Sequence, residues 1–119
     1  MNAIDSAAYD TLLIAQATID QARTASETGR LPLGAAGALK TLIGSYNVAR
    51  ESWLTYRNAV TTKLPTDAYL DQLTRDLSDL TEAIRKLHEQ LRMQARREAQ
   101  ARQRAASRKG AAINEKEAE

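Results

Sequence analysis

Apolar residues recur every three or four positions in three separate stretches of this chain, the spacing that lines one face of an α-helix. The first stretch places Ile4, Ala8, Leu12, Ala15, Ile19 and Ala22 on one side, a thin seam rich in alanine. The second alternates steps of three and four through Leu39, Leu42, Tyr46, Ala49, Trp53, Tyr56 and Val60, which is a heptad seam. The third opens with Tyr69 and Leu70 and repeats the spacing with Leu73, Leu77, Leu80, Ile84, Leu87 and Leu91. The pattern predicts helices over residues 4–28, 33–62 and 67–91.

Two corners separate them, Arg30-Leu-Pro-Leu-Gly-Ala35 and Lys63-Leu-Pro-Thr-Asp-Ala68. Proline fixes its own φ, disfavours helix at the residue before it and suits a first turn, where a missing N–H costs little. Gly29 is placed to end the first helix in a left-handed cap, and Thr66 with Asp67 to start the third. The corners lie 33 residues apart, but two copies without a repeat consensus read as turns and not as a solenoid. Short connections predict an all-α, antiparallel up-down-up three-helix bundle over residues 1–91. The seam fades after Leu91 and Met93 while helix-forming residues continue, so residues 92–109 are expected to extend the third helix beyond the bundle. Residues 110–119 are expected to form a flexible acidic C-terminus.

Composition narrows the chemistry. Among 119 residues there is no cysteine and one histidine, His88, so no disulfide, thiolate zinc site or multi-histidine metal centre can be built, and the redox compartment is not readable. No apolar run approaches the roughly 20 residues that cross a bilayer, and Met1–Ser6 lacks the basic start and apolar run of a signal peptide. The expectation is a cytoplasmic protein without membrane insertion, or a virion-associated one if it is a phage structural component; a leader removed beforehand would leave no trace.

Charge is unevenly spread. Residues 1–91 hold nine Lys and Arg against eleven Asp and Glu, whereas residues 92–109 hold seven basic residues against Glu98 alone. These are Arg92, Arg96, Arg97, Arg102, Arg104, Arg108 and Lys109, spread around the helix and not confined to a narrow stripe. Such a segment could contact phosphates or dock a protein partner. With no aromatic residue among them, base stacking is not available.

Several candidate sites fail on inspection. Gly34-Ala-Ala-Gly-Ala-Leu-Lys40-Thr41 comes within one residue of a phosphate-binding loop, but Leu39 stands where glycine is needed and no strand precedes it. Asp71, Asp76, Asp79 and Glu82 read as a solvated face supported by Asp71–Arg75 and Glu82–Lys86 pairs. His88 reads as a surface residue, since Arg85 occupies the glutamate position of a Glu-x-x-His metal motif. No nucleophile, base or cofactor cradle is visible, so neither enzyme activity nor a cofactor is expected.

Tyr46-Asn-Val-Ala-Arg-Glu-Ser-Trp53-Leu-Thr-Tyr56-Arg57 is the most distinctive stretch, with three aromatics on one face and Asn47, Arg50 or Arg57 available to their polar groups. With the Leu-Pro corner before it, this stretch resembles short uncharacterised helical proteins of bacterial prophage-like gene clusters. The resemblance runs over residues 5–90, leaves out the basic segment, carries no catalytic residues and implies a structural or accessory role. The sequence thus predicts a non-enzymatic helical protein acting through protein contacts or self-association. The alternative is a nucleic-acid accessory protein using residues 92–109.

Overall fold

The computed structural model describes the backbone of residues 2–118 and the side chains of residues 2–108. It is an all-α three-helix bundle of α1 (Ala3–Glu27), α2 (Leu33–Thr61) and α3 (Asp67–Ala118). Each boundary has a local cause. Asn2 caps α1 by accepting the Asp5 N–H at 2.9 Å, which also sets an acidic side chain in the first turn. Pro32, extended at φ −67° and ψ 154°, starts α2 through its carbonyl, which accepts the N–H groups of Ala35 and Ala36. The Thr66 carbonyl accepts the Leu70 N–H as α3 begins.

Both interior helix ends use the same device. After α1, Gly29 turns left-handed at φ 70°, donating to the Ser26 carbonyl while Arg30 donates to that of Ala25. After α2, Lys63 takes φ 59°, donating to Val60 while Leu64 donates to Ala59. This paired hydrogen bonding satisfies carbonyls that the helix leaves open. Gly29 enters the conformation freely, whereas Lys63 enters it against its own Cβ.

The core follows the predicted seams with informative exceptions. Ala8, Leu12, Ala15, Ile19 and Ala22 of α1 are buried, as are Leu39, Leu42, Ala49 and Tyr56 of α2 and Leu73, Leu77, Leu80, Ile84 and Leu87 of α3. Ile4, Tyr46, Trp53, Leu70 and Leu91 pack at its margin. Val60, expected in the seam, is 49% exposed, and Ala59 at 2% takes its place. Asp76, expected on a solvated face, is 7% exposed and lies in the core layer.

The third helix is longer than the sequence pattern predicts. Residues 92–108 belong to the same helix, and helical backbone continues through residues 110–118, where a flexible end was expected. Ala111, Ala112, Glu115, Lys116, Glu117 and Ala118 all favour helix, which outweighs the roughly 1 kcal/mol cost of Gly110. From Ala95 to Arg108 every residue is exposed, so neither α1 nor α2 covers this half of α3.

Among the described residues, one side-chain hydrogen bond crosses each pair of helices. Trp53 Nε1 donates to Asp5 Oδ1 at 2.9 Å between α2 and α1. The Ser52 hydroxyl donates to the Asp76 carboxylate between α2 and α3. Thr18 Oγ1 lies 3.3 Å from His88 Nε2 between α1 and α3. Because the Thr18 hydroxyl donates to the Ile14 carbonyl at 2.9 Å, its lone pair is left to accept from the ring, which assigns the proton to Nε2.

Candidate functional site

The aromatic stretch of α2 builds a groove of about 170 Å³ at the surface. Tyr46 and Trp53, one heptad apart, lie half-buried at the edge of the core, where α1 is too narrow to cover them. The alanine positions of α1 supply little side chain at this edge. The groove lies between α1 and α2, lined by Tyr9, Leu12, Leu13 and Gln16 on one side and Tyr46, Arg50, Trp53 and Leu54 on the other. Tyr9 at 49%, Leu13 at 53% and Leu54 at 44% exposure form its apolar rim.

Polar groups fix the floor of this groove. The indole N–H of Trp53 is held by Asp5, not by Asn47, Arg50 or Arg57 as the sequence suggested. Arg57 instead lies over the Trp53 ring, 5.3 Å from its centroid, an attraction worth about 0.5–1 kcal/mol at an exposed site. The indole plane is thereby anchored from its edge and one face. A rigid aromatic floor beneath an exposed apolar rim suits contact with another apolar side chain, because little rotamer freedom is lost on binding.

The acidic side chains of α3 do not act as one set. Asp71 and Asp79 are exposed, whereas Asp76 accepts from Ser52 and from Gln72 Nε2 at 3.0 Å. Glu82 pairs with Arg85 at 2.6 Å and Arg85 with Glu89 at 3.1 Å, in place of the predicted Glu82–Lys86 and Asp71–Arg75 pairs. The Arg85 hydrogen bond lowers the Glu82 carboxyl below its usual range, and the same contact raises the guanidinium. The Glu82–Arg85–Glu89 pairs are exposed, so they tune local charge more than stability. His88 is half-buried against Thr18 and not a free surface group.

The candidate contact arginines are placed together at the uncovered end of α3. Arg92, Arg96, Arg97, Arg102, Arg104 and Arg108 are exposed, and none makes an ion pair with a described side chain. Glu98 accepts instead from Gln94, at 3.2 Å. The Lys109 side chain lies outside those described. Gly34–Thr41, which looked like a phosphate loop, falls within the first turns of α2 with Leu39 buried and Lys40 exposed.

Among the described residues no group of three or more His, Asp or Glu side chains could hold a metal ion, and no helix is long and apolar enough to cross a membrane. No family model, no curated protein and no solved structure matches the chain.

Proposed function

We propose that this chain is a non-enzymatic helical interaction protein, working through protein contacts that include self-association, with the α1/α2 groove as its contact surface. The observation that carries this reading is the exposed rim of Tyr9, Leu13 and Leu54 around the anchored Trp53. Apolar side chains exposed around an aromatic floor offer a surface that a partner can cover. The alanine-rich face of α1 adds weight, because a small bundle with a thin seam gains stability from a second copy. An up-down-up order of the helices, with the third projecting past the other two, completes the reading. The role proposed is structural or accessory, in the cytoplasm or, if the chain is phage-related, in a virion.

Sedimentation of the intact chain over a range of concentrations tests the proposal. The mass is expected to rise with concentration. Replacing Leu13→Lys and Leu54→Lys together should return it to the monomer while helicity, read by circular dichroism, stays unchanged, since both side chains lie outside the core. A monomer at every concentration, or an oligomer untouched by the double substitution, would overturn the groove as a self-association surface.

A further inference from the structure

The arginines of the α3 extension, expected from the sequence to spread around the helix, fill one broad half of it with a single exception. With 3.6 residues per turn, Arg92, Arg96, Arg97, Arg104 and Arg108 fall within about 160° of the helix circumference, and only Arg102 lies opposite. The opposite half is made of Ala95, Ala99, Ala101, Ala105 and Ala106 with Glu98, and it continues the line of Leu80, Ile84, Leu87 and Leu91. The basic half therefore lies on the side of α3 turned away from the bundle core. Arg104 and Arg108 share one shallow depression with Gln100, Gln103 and Ser107. Arg92 and Arg96 share another with Met93 and with Arg85 and Glu89, which pair with each other.

Within the arc the charges form two edges. Arg92 and Arg96 make one, Arg97, Arg104 and Arg108 the other, and Gln100 and Ser107 lie between them. We infer that this half of the extension inserts into the major groove of double-stranded DNA, with the two arginine edges on the phosphate backbones that border it. The dimensions agree: a helix with its side chains is about 10–12 Å across, and the major groove of B-form DNA is about 12 Å wide. The charge agrees as well, with five guanidiniums free of described acidic partners on one face. Gln100, between the edges, is a side chain that can meet an adenine edge through two hydrogen bonds. A continuous helix leaving a bundle can enter the groove without steric conflict, because nothing covers it from Ala95 to Arg108. This assignment concerns a surface separate from the aromatic groove and does not depend on what fills that groove.

The test is fluorescence anisotropy of the intact chain with a labelled DNA duplex of roughly 20 base pairs, between about 50 and about 200 mM salt. Five phosphate contacts predict a fall in log affinity against log salt with a slope of about −4.5. Arg97→Glu with Arg104→Glu should weaken binding by more than about tenfold, whereas Arg102→Glu, about a Debye length across the helix, should change it by less than about threefold. All three sites are exposed, so circular dichroism should show unchanged helix in each variant. The inference is overturned by no binding at the lowest salt, by an equal loss with Arg102→Glu, or by equal or tighter binding to single-stranded DNA or to an RNA duplex, whose deep, narrow major groove does not admit the helix.

Discussion

Asp76 accepts two side-chain hydrogen bonds where little water reaches, and one of the donors, Ser52, comes from another helix. Removing a donor from a buried acceptor costs more than the bond itself contributes, because the acceptor stays desolvated. Ser52→Ala is expected to destabilise the fold by about 1–3 kcal/mol, read as a lower urea midpoint. Adding Asp76→Leu should restore most of the loss, since the orphaned group is then gone. The spacing for this carboxylate was present in the sequence: Asp76 stands three residues after Leu73 and four before Leu80, squarely on the seam. Its charge pointed the other way, because an unpaired carboxylate belongs in water, and the hydroxyl that makes its burial tolerable lies 24 residues away. The Trp53–Asp5 contact was hidden for the same reason, being settled by how α1 and α2 meet and not by anything within either helix.

At the scale of the element, the corners after α1 and α2 are alike in hydrogen bonding and unlike in residue. Lys63 holds a left-handed φ of 59° that costs an L-residue about 1–2 kcal/mol. Lys63→Gly should therefore raise the thermal midpoint by an amount equivalent to about 1 kcal/mol, despite the greater chain entropy of glycine. No such gain is expected from glycine at Thr62, which caps α2 at φ −88°. The cap at Gly29 was legible because glycine advertises it, whereas nothing in lysine does. The seams were legible because steps of three and four project onto one face, and the apolar positions from Leu73 to Leu87 lie buried accordingly. At the end of α2 both Ala59 and Val60 satisfy that spacing; the smaller side chain faces inward, which sequence periodicity alone does not decide.

At the scale of the whole molecule, the helices differ in what holds them. The seam residues from Leu73 to Leu87 sit inside the core, while those from Ala95 to Arg108 have no cover from another helix. Hydrogen exchange on the intact chain should show amides of residues 95–108 exchanging orders of magnitude faster than those of the core turns, whose opening needs the bundle to separate. Equal protection along α3 would mean that the extension is covered in solution. The sequence indicated where the seam fades, at Gln94 and Glu98, but the unbroken helix across that point rests on local propensity, which carries no sign of a boundary.

Such a shape also governs how the protein travels. Its long axis is 85 Å against 25 and 18 Å across, and its radius of gyration is 22.0 Å. A compact chain of this length would have a radius of gyration of about 13–14 Å. A lone copy will thus drag through solvent like a rod and leave a sizing column ahead of compact proteins of equal mass. Elution volume would count partners that are not there, and a method blind to friction, such as equilibrium sedimentation, would count only real ones.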